Sequence, residues 1–319
     1  MSVSRTTLSA PSKTDGPASV LAPLLKANGF DLAFNILNIG ARPIGDADAE
    51  PFWQLLDVFP ASRIAAVEID PQLCAELNAS APERVRYYPA AIGRTEERRT
   101  VYETANPMCT SLYCPDERYA DLYHGLDVMR LKRTSEVTTI GMDSFIAQNG
   151  LGGIDFLKID IQGAELDVFK GGAVALKDTL CIVTEVEFVP LYKDQPLFGD
   201  VAACLHASGI MFHKFLGMAG RVMKPLTMHE SKNYPARYLW SDAFFARDLL
   251  ALEKLANDQL LKLATLLDIY ESRDAALHVL RRYDLSAGDD LSEIYLAHLV
   301  QDETWGVVTT LADKSNELG

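Results

Sequence analysis

The stretch Ile154-Asp155-Phe156-Leu157-Lys158-Ile159-Asp160-Ile161-Gln162-Gly163-Ala164-Glu165 carries the clearest structural signal in the chain. Residues 154–161 form a short, mostly apolar run, the pattern of a strand covered on both faces of a sheet. Gly163 lets the backbone turn tightly, and a helical pattern over residues 164–176 begins at once. A buried strand feeding directly into a helix is one unit of a parallel α/β sheet. Asp160 stands at the carboxyl end of that strand, where open α/β sheets place the groups that touch ligands.

Similar units flank this one. Upstream, residues 34–39, 64–69 and 85–90 read as strands, with helices over 20–28, 51–58 and 71–79. Pro71 suits the first turn of the last of these, where its missing N–H costs nothing. Residues 137–140 read as a short strand and 143–148 as a helix. Downstream, strands fall at 181–188, 211–216 and 239–246, with a helix at 200–208. The alternation predicts an α/β fold, a Rossmann-like, mostly parallel sheet with helices on both faces. Residues 93–133 are polar and aperiodic, and they read as a long loop. Ser111 and the tyrosines of this segment are candidates to line an acceptor pocket.

The division of the chain follows from composition. Residues 1–18, rich in Ser, Thr and Pro, read as a disordered tail, and 19–247 as the main domain. Residues 248–319 read as a helical appendage. Leu260, Leu263, Leu267 and Tyr270 share one helical face, as do Ala276, Leu280 and Tyr283, and a third helix is expected at 289–300. These helices need a surface to cover, either the main domain or another subunit, so a homo-oligomer is one expectation.

The 319 residues are 48% hydrophobic and 23% charged, with a formal net charge of −14. Such a surface repels phosphate backbones, so nucleic acid is not an expected partner. No run of about 18 apolar residues is present, so no membrane span is expected. The five cysteines are scattered and odd in number, which fits free thiols in a reducing cytoplasm. Cys109 and Cys114 lack the spacing and the histidine pair of a zinc site, and no metal is expected from them.

A cofactor site is legible at the first two strands. The first runs into Asn38-Ile39-Gly40-Ala41-Arg42-Pro43-Ile44-Gly45, and the second ends in Glu68-Ile69-Asp70. An acid at the tip of the second strand can accept hydrogen bonds from two ribose hydroxyls, and a glycine after the first strand permits close approach of a ligand. Asn38, Gly40, Ala41, Gly45, Glu68, Ile69 and Asp160 are therefore the candidate cofactor-binding residues. The dinucleotide fingerprint needs a middle glycine that this loop lacks. S-adenosylmethionine carries no pyrophosphate and needs no such cradle. An NAD(P)-dependent oxidoreductase and a non-catalytic binding module are the alternatives.

The stretch 154–165 also resembles the signature of the FkbM-type methyltransferase family, a strand ending Lys-Ile-Asp that enters a Gly-Ala-Glu helix start. Further matches lie in order: Pro89-Ala90-Ala91-Ile92-Gly93, Thr110-Ser111-Leu112, residues 137–145, Glu185-Val186-Glu187-Phe188, Leu191-Tyr192, Gln195-Pro196-Leu197-Phe198 and Ser241-Asp242-Ala243-Phe244-Phe245. The resemblance covers about residues 34–247. It implies a class I fold with a seven-stranded sheet whose last strand pair is antiparallel, S-adenosylmethionine as cofactor, and O-methylation of a small-molecule or sugar hydroxyl. The family generally has Asp where Asn38 stands, and Gly-Ala-Asn-x-Gly where this chain has the longer loop from Gly40 to Gly45.

Methyl transfer to a hydroxyl requires alignment and a group that takes the proton. Asp160 is expected beside the methionine end of the cofactor, with Glu185 or His213 as the base. Asp160, Glu185 and Glu187 could alternatively hold Mg²⁺ through oxygen ligands.

Overall fold

The computed structural model describes residues 18–43, 50–228, 231–232, 237–301 and 305–306. The expected tail lies outside the described residues except for residue 18. The strands are β1 (Asn35–Ile39), β2 (Arg63–Glu68), β3 (Val85–Pro89), β4 (Ala91–Gly93), β5 (Arg98–Thr104), β6 (Leu131–Gly141), β7 (Phe156–Ile159), β8 (Cys181–Glu187), β9 (Ile210–Phe215) and β10 (Trp240–Arg247). The helices are α1 (Leu21–Ala27), α2 (Gln54–Val58), α3 (Pro71–Asn78), α4 (Glu117–Leu122), α5 (Met142–Gln148), α6 (Glu165–Lys170), α7 (Phe198–Ala207), α8 (Asn257–Ile269), α9 (Arg273–Ala287) and α10 (Leu291–Leu299).

Seven strands form the main sheet in the order β3-β2-β1-β7-β8-β10-β9. The pairs from β3 through β8 are parallel, and β10 runs antiparallel to both neighbours. This is the α/β architecture expected from sequence, with the antiparallel strand where the family resemblance implied it. The switch in strand order falls between β1 and β7, and the crevice there opens at their carboxyl ends.

Period-two alternation sends neighbouring residues to opposite faces. Ile64 and Ala66 of β2, Phe156 of β7, Val183 of β8 and Phe244 of β10 join one apolar cluster with α1, α2, α3 and the C-terminal helices. Ala65, Val67, Leu157, Ile182 and Phe245 join a second cluster with α5, α6 and α7. Both faces are therefore covered, which is why these strands read as nearly continuous apolar runs.

The C-terminal helices cover the chain's own sheet. Tyr270 stacks on Phe156 and Phe244, with ring centroids 5.5 and 4.9 Å apart. Lys262 lies 3.3 Å from Asp155, whose carboxylate also accepts the Asn35 N–H at 2.8 Å. Asp268 is 2% exposed and accepts from Ser19 Oγ, from the N–H groups of Val20 and Leu21, and from the Tyr295 hydroxyl. One carboxylate thus caps α1 and fastens α10 to α8.

Two sequence expectations are corrected. The segment 93–133 is not a loop: β5 pairs with β6 as an antiparallel hairpin, and β4 adds to β6 in parallel. Most of β6 is exposed, so neither face carries the apolar alternation that identifies a strand in sequence. The helix expected over 164–176 ends at Lys170. At Gly171 a Cβ would stand 2.4 Å from the Gly93 carbonyl oxygen, so the chain passes there as bare backbone.

Candidate active site at the strand tips

The turn after β1 has no room for a side chain. Gly40 has φ +82°, and a Cβ on it would lie 1.8 Å from the carbonyl oxygen of Asp160. The N–H groups of Gly40 and Ala41 both donate to Val67 O at 3.0 Å, and Asp160 N–H donates to Ile39 O at 3.0 Å. The turn is thereby clamped between the tips of β2 and β7.

Beside it lies a cavity of about 710 Å³. One wall comprises Gly40, Arg42, Glu68, Ile69, Asp160 and Gln162, at the carboxyl ends of β1, β2 and β7. The opposite wall is the β5–β6 hairpin with the segment 107–112, including Ser111 and Met108. Glu68 is 5% exposed, and its Oε1 accepts from Asp70 N–H at 3.1 Å and from Arg42 Nη2 at 3.1 Å. Asp70 Oδ1 caps α3 by accepting from Gln72 N–H and Leu73 N–H.

Gln162 is the structural hub of the β7 exit. It holds φ +61°, an uncommon conformation for a residue with a side chain. Its Nε2 donates to Asp160 Oδ1 at 2.9 Å and to Glu185 Oε2 at 2.5 Å. Its Oε1 lies 3.1 Å from the Tyr192 hydroxyl, and its carbonyl accepts from Ser111 Oγ at 2.7 Å. Glu165 fastens the same turn from below, its Oε1 accepting from Ile161 N–H at 2.9 Å and Gly163 N–H at 3.2 Å.

Burial dominates the electrostatics. It pushes the Glu165 carboxyl up to about 7, against the pull of the N–H groups it accepts. Glu185 and Glu187 lie well above the ordinary carboxylate range, through burial first and then the neighbouring acids. Lys158, 6% exposed, sits 2.9 Å from Asp242. Burial alone would lower its ammonium, but Asp242, Asp160 and Glu50 hold it above its ordinary value.

Of the residues singled out from sequence, Gly40, Glu68, Ile69 and Asp160 meet in the cavity wall. Asn38 is half-buried within β1, in register with Lys158, and Ala41 is buried in the apolar core; neither belongs to the cavity lining. Gly45 lies outside the described residues. Glu185 stands behind Gln162 rather than in the wall. His213 is elsewhere: its Nε2 is 2.9 Å from Ser272 Oγ and its ring packs edge-on against Phe244, under the C-terminal helices. Burial lowers its affinity for a proton. The strand β9 that carries it is the sheet edge, two strands removed from β8, and sequence alone could not tell which face it serves. Among the described residues, no group of three or more His, Cys, Asp or Glu is arranged to hold a metal ion.

Gln162, Arg42 and Tyr192 gain their roles only in the fold. Gln162 lies between Asp160 and Gly163, and Tyr192 in a segment that resembles the family, but neither position by itself marks a role in the site. Arg42 lies in the loop after β1, but its pairing with Glu68 depends on the fold.

Residues 38–210 match the model of the methyltransferase FkbM domain. The chain is 28% identical over 169 residues to the 2-O-methyltransferase NoeI of Sinorhizobium fredii (strain NBRC 101917 / NGR234), covering 50% of this chain and 66% of that protein. Among solved structures it is similar to the methyltransferase FkbM from Methylobacillus flagellatus KT (13% identity, TM-score 0.37), covering 69% of this chain and 45% of that one. It is similar also to the magnesium protoporphyrin IX methyltransferase of Synechocystis PCC 6803 with bound SAM (9% identity, TM-score 0.33), covering 71% and 76%. The match therefore spans just under two thirds of the curated relative and less than half of the Methylobacillus protein. With more than half of its length accounted for by that domain, the chain belongs to the FkbM methyltransferase family.

Proposed function

We propose that the protein is an S-adenosylmethionine-dependent methyltransferase that methylates a hydroxyl oxygen of a small molecule or sugar. The observation that carries this reading is the cavity of about 710 Å³ across the tips of β1, β2 and β7, with Glu68 and the side-chain-free turn at Gly40 in its wall. Its volume falls in the range of pockets for compact ligands, roughly 300–1,000 Å³. Membership of the FkbM family and the NoeI relative support oxygen as the acceptor atom.

The residues present fit an adenosine-bearing cofactor. Glu68 offers carboxylate oxygens to ribose hydroxyls, Gly40 lets a ligand approach the backbone, and Ile69 gives an apolar edge beside them. S-adenosylmethionine, once bound, supplies a methyl group on a positively charged sulfur. The chain's own task is to hold an acceptor hydroxyl in line and to take its proton. Asp160 is the carboxyl in the wall at the switch in strand order, oriented by the Gln162 amide. We assign it the proton-accepting role. Glu185, enclosed behind Gln162, orients that amide.

The test is transfer of labelled methyl from S-adenosylmethionine to a panel of glycosides and small alcohols. The expected result is label on oxygen for at least one acceptor class, with Asp160→Asn reducing turnover by about 10²-fold or more. Unimpaired transfer by Asp160→Asn would remove Asp160 from its role.

A further inference from the structure

Arg42 occupies a position that the cofactor reading leaves unexplained. It follows the Gly40 turn within the same loop, and its guanidinium enters the cavity rather than solvent, its side chain only 23% exposed. Nη2 lies 3.1 Å from Glu68 Oε1 and 3.4 Å from Asp70 Oδ2. The same Glu68 oxygen already accepts the Asp70 N–H. A carboxylate that is to hold two ribose hydroxyls needs acceptor capacity on both of its oxygens. Here one oxygen carries two donors, one of them charged, before any ligand arrives.

We propose that Arg42 is a gate on the ribose subsite: its ion pair with Glu68 must open, or yield one oxygen, before a ribose diol can dock. The proposal rests on the cofactor reading above. A hydroxyl is a neutral donor and replaces a charge-assisted hydrogen bond with a weaker one. Exchange at Glu68 is therefore uphill, and the chain holds its cofactor less tightly than the same cavity would with a neutral residue at position 42. Asp70 provides the landing place. It already lies near the guanidinium, so Arg42 can move off Glu68 without losing all opposing charge. Asp70 can do this while still capping α3, because the cap uses Oδ1 and the guanidinium faces Oδ2.

The experiment is calorimetric titration of S-adenosylhomocysteine into the wild-type chain, Arg42→Gln and Arg42→Met. Both variants are expected to bind about three- to tenfold more tightly, the range set by releasing one such pair. The second variant keeps the proposal exposed if the first fails to fold. Weaker or equal binding by the variants would overturn the gate while leaving the cofactor reading intact. No binding to any of the three chains would overturn both.

Discussion

Gly40 is where a single residue decides whether the site exists. Its positive φ and the 1.8 Å approach of the Asp160 carbonyl oxygen leave no place for a methyl group. Gly40→Ala is expected to destabilise the fold by about 2–4 kcal/mol, from backbone strain plus a clash with main chain that cannot rotate away. Urea unfolding reads that loss, and titration with S-adenosylhomocysteine should show binding abolished. A stable, binding-competent Gly40→Ala chain would contradict the turn as described. Residue-scale features were unequally visible in sequence. A glycine directly after a strand and an acid at the next strand's tip have local signatures, so Gly40 and Glu68 could be named. Gln162 could not, because its role comes from Tyr192, Glu185 and Ser111, which reach it from distant parts of the chain.

Among elements, the C-terminal helices illustrate how buried polarity fixes an arrangement that apolar packing alone leaves loose. Asp268 serves the first turn of α1 and the hydroxyl of Tyr295 on α10 from a position with 2% exposure. Asp268→Ala leaves those donors buried and unsatisfied, and should cost about 3–5 kcal/mol. Tyr295→Phe removes one of those hydrogen bonds, a bond to a buried carboxyl oxygen, and should cost about 1.5–3 kcal/mol. Chemical denaturation of both variants checks the ratio, and equal losses would show that Asp268 does not act as the shared fastening. The helical periodicity of α8 and α9 was legible because the apolar stripe of α8 meets the sheet and that of α9 packs on α8. Beyond the strand read at 137–140, the β5–β6 hairpin was not legible: most of β6 is exposed and β5 buries only Val101 and Thr104, which leaves no apolar alternation to read. His213 was misplaced for a related reason: a polar residue on an edge strand carries no mark of the face it serves.

Over the whole molecule, the acids gathered behind the β7 exit make stability depend on pH. The Glu165 carboxyl stands at about 7 in the fold against an ordinary value of 4.5. A carboxyl raised in this way holds its proton more tightly folded than unfolded. Its stabilising share is complete below about pH 4.5 and is lost as the pH rises through about 7. The span corresponds to on the order of 3 kcal/mol. Glu185 and Glu187 are raised as well and act in the same direction. The thermal midpoint of the wild-type chain is therefore expected to fall between about pH 5 and pH 8. Glu165→Gln keeps an acceptor for the Ile161 and Gly163 N–H groups but cannot titrate, so its profile should be flatter. Parallel profiles for the two chains would contradict the assignment.

S-adenosylmethionine is proposed to bind in the cavity across the strand tips. The most direct test is calorimetric titration of the wild-type chain with S-adenosylhomocysteine, with NADH as the control. Saturable binding of the homocysteine compound alone, lost in Glu68→Ala, is the predicted result. Binding of NADH instead, or of neither compound, would contradict it.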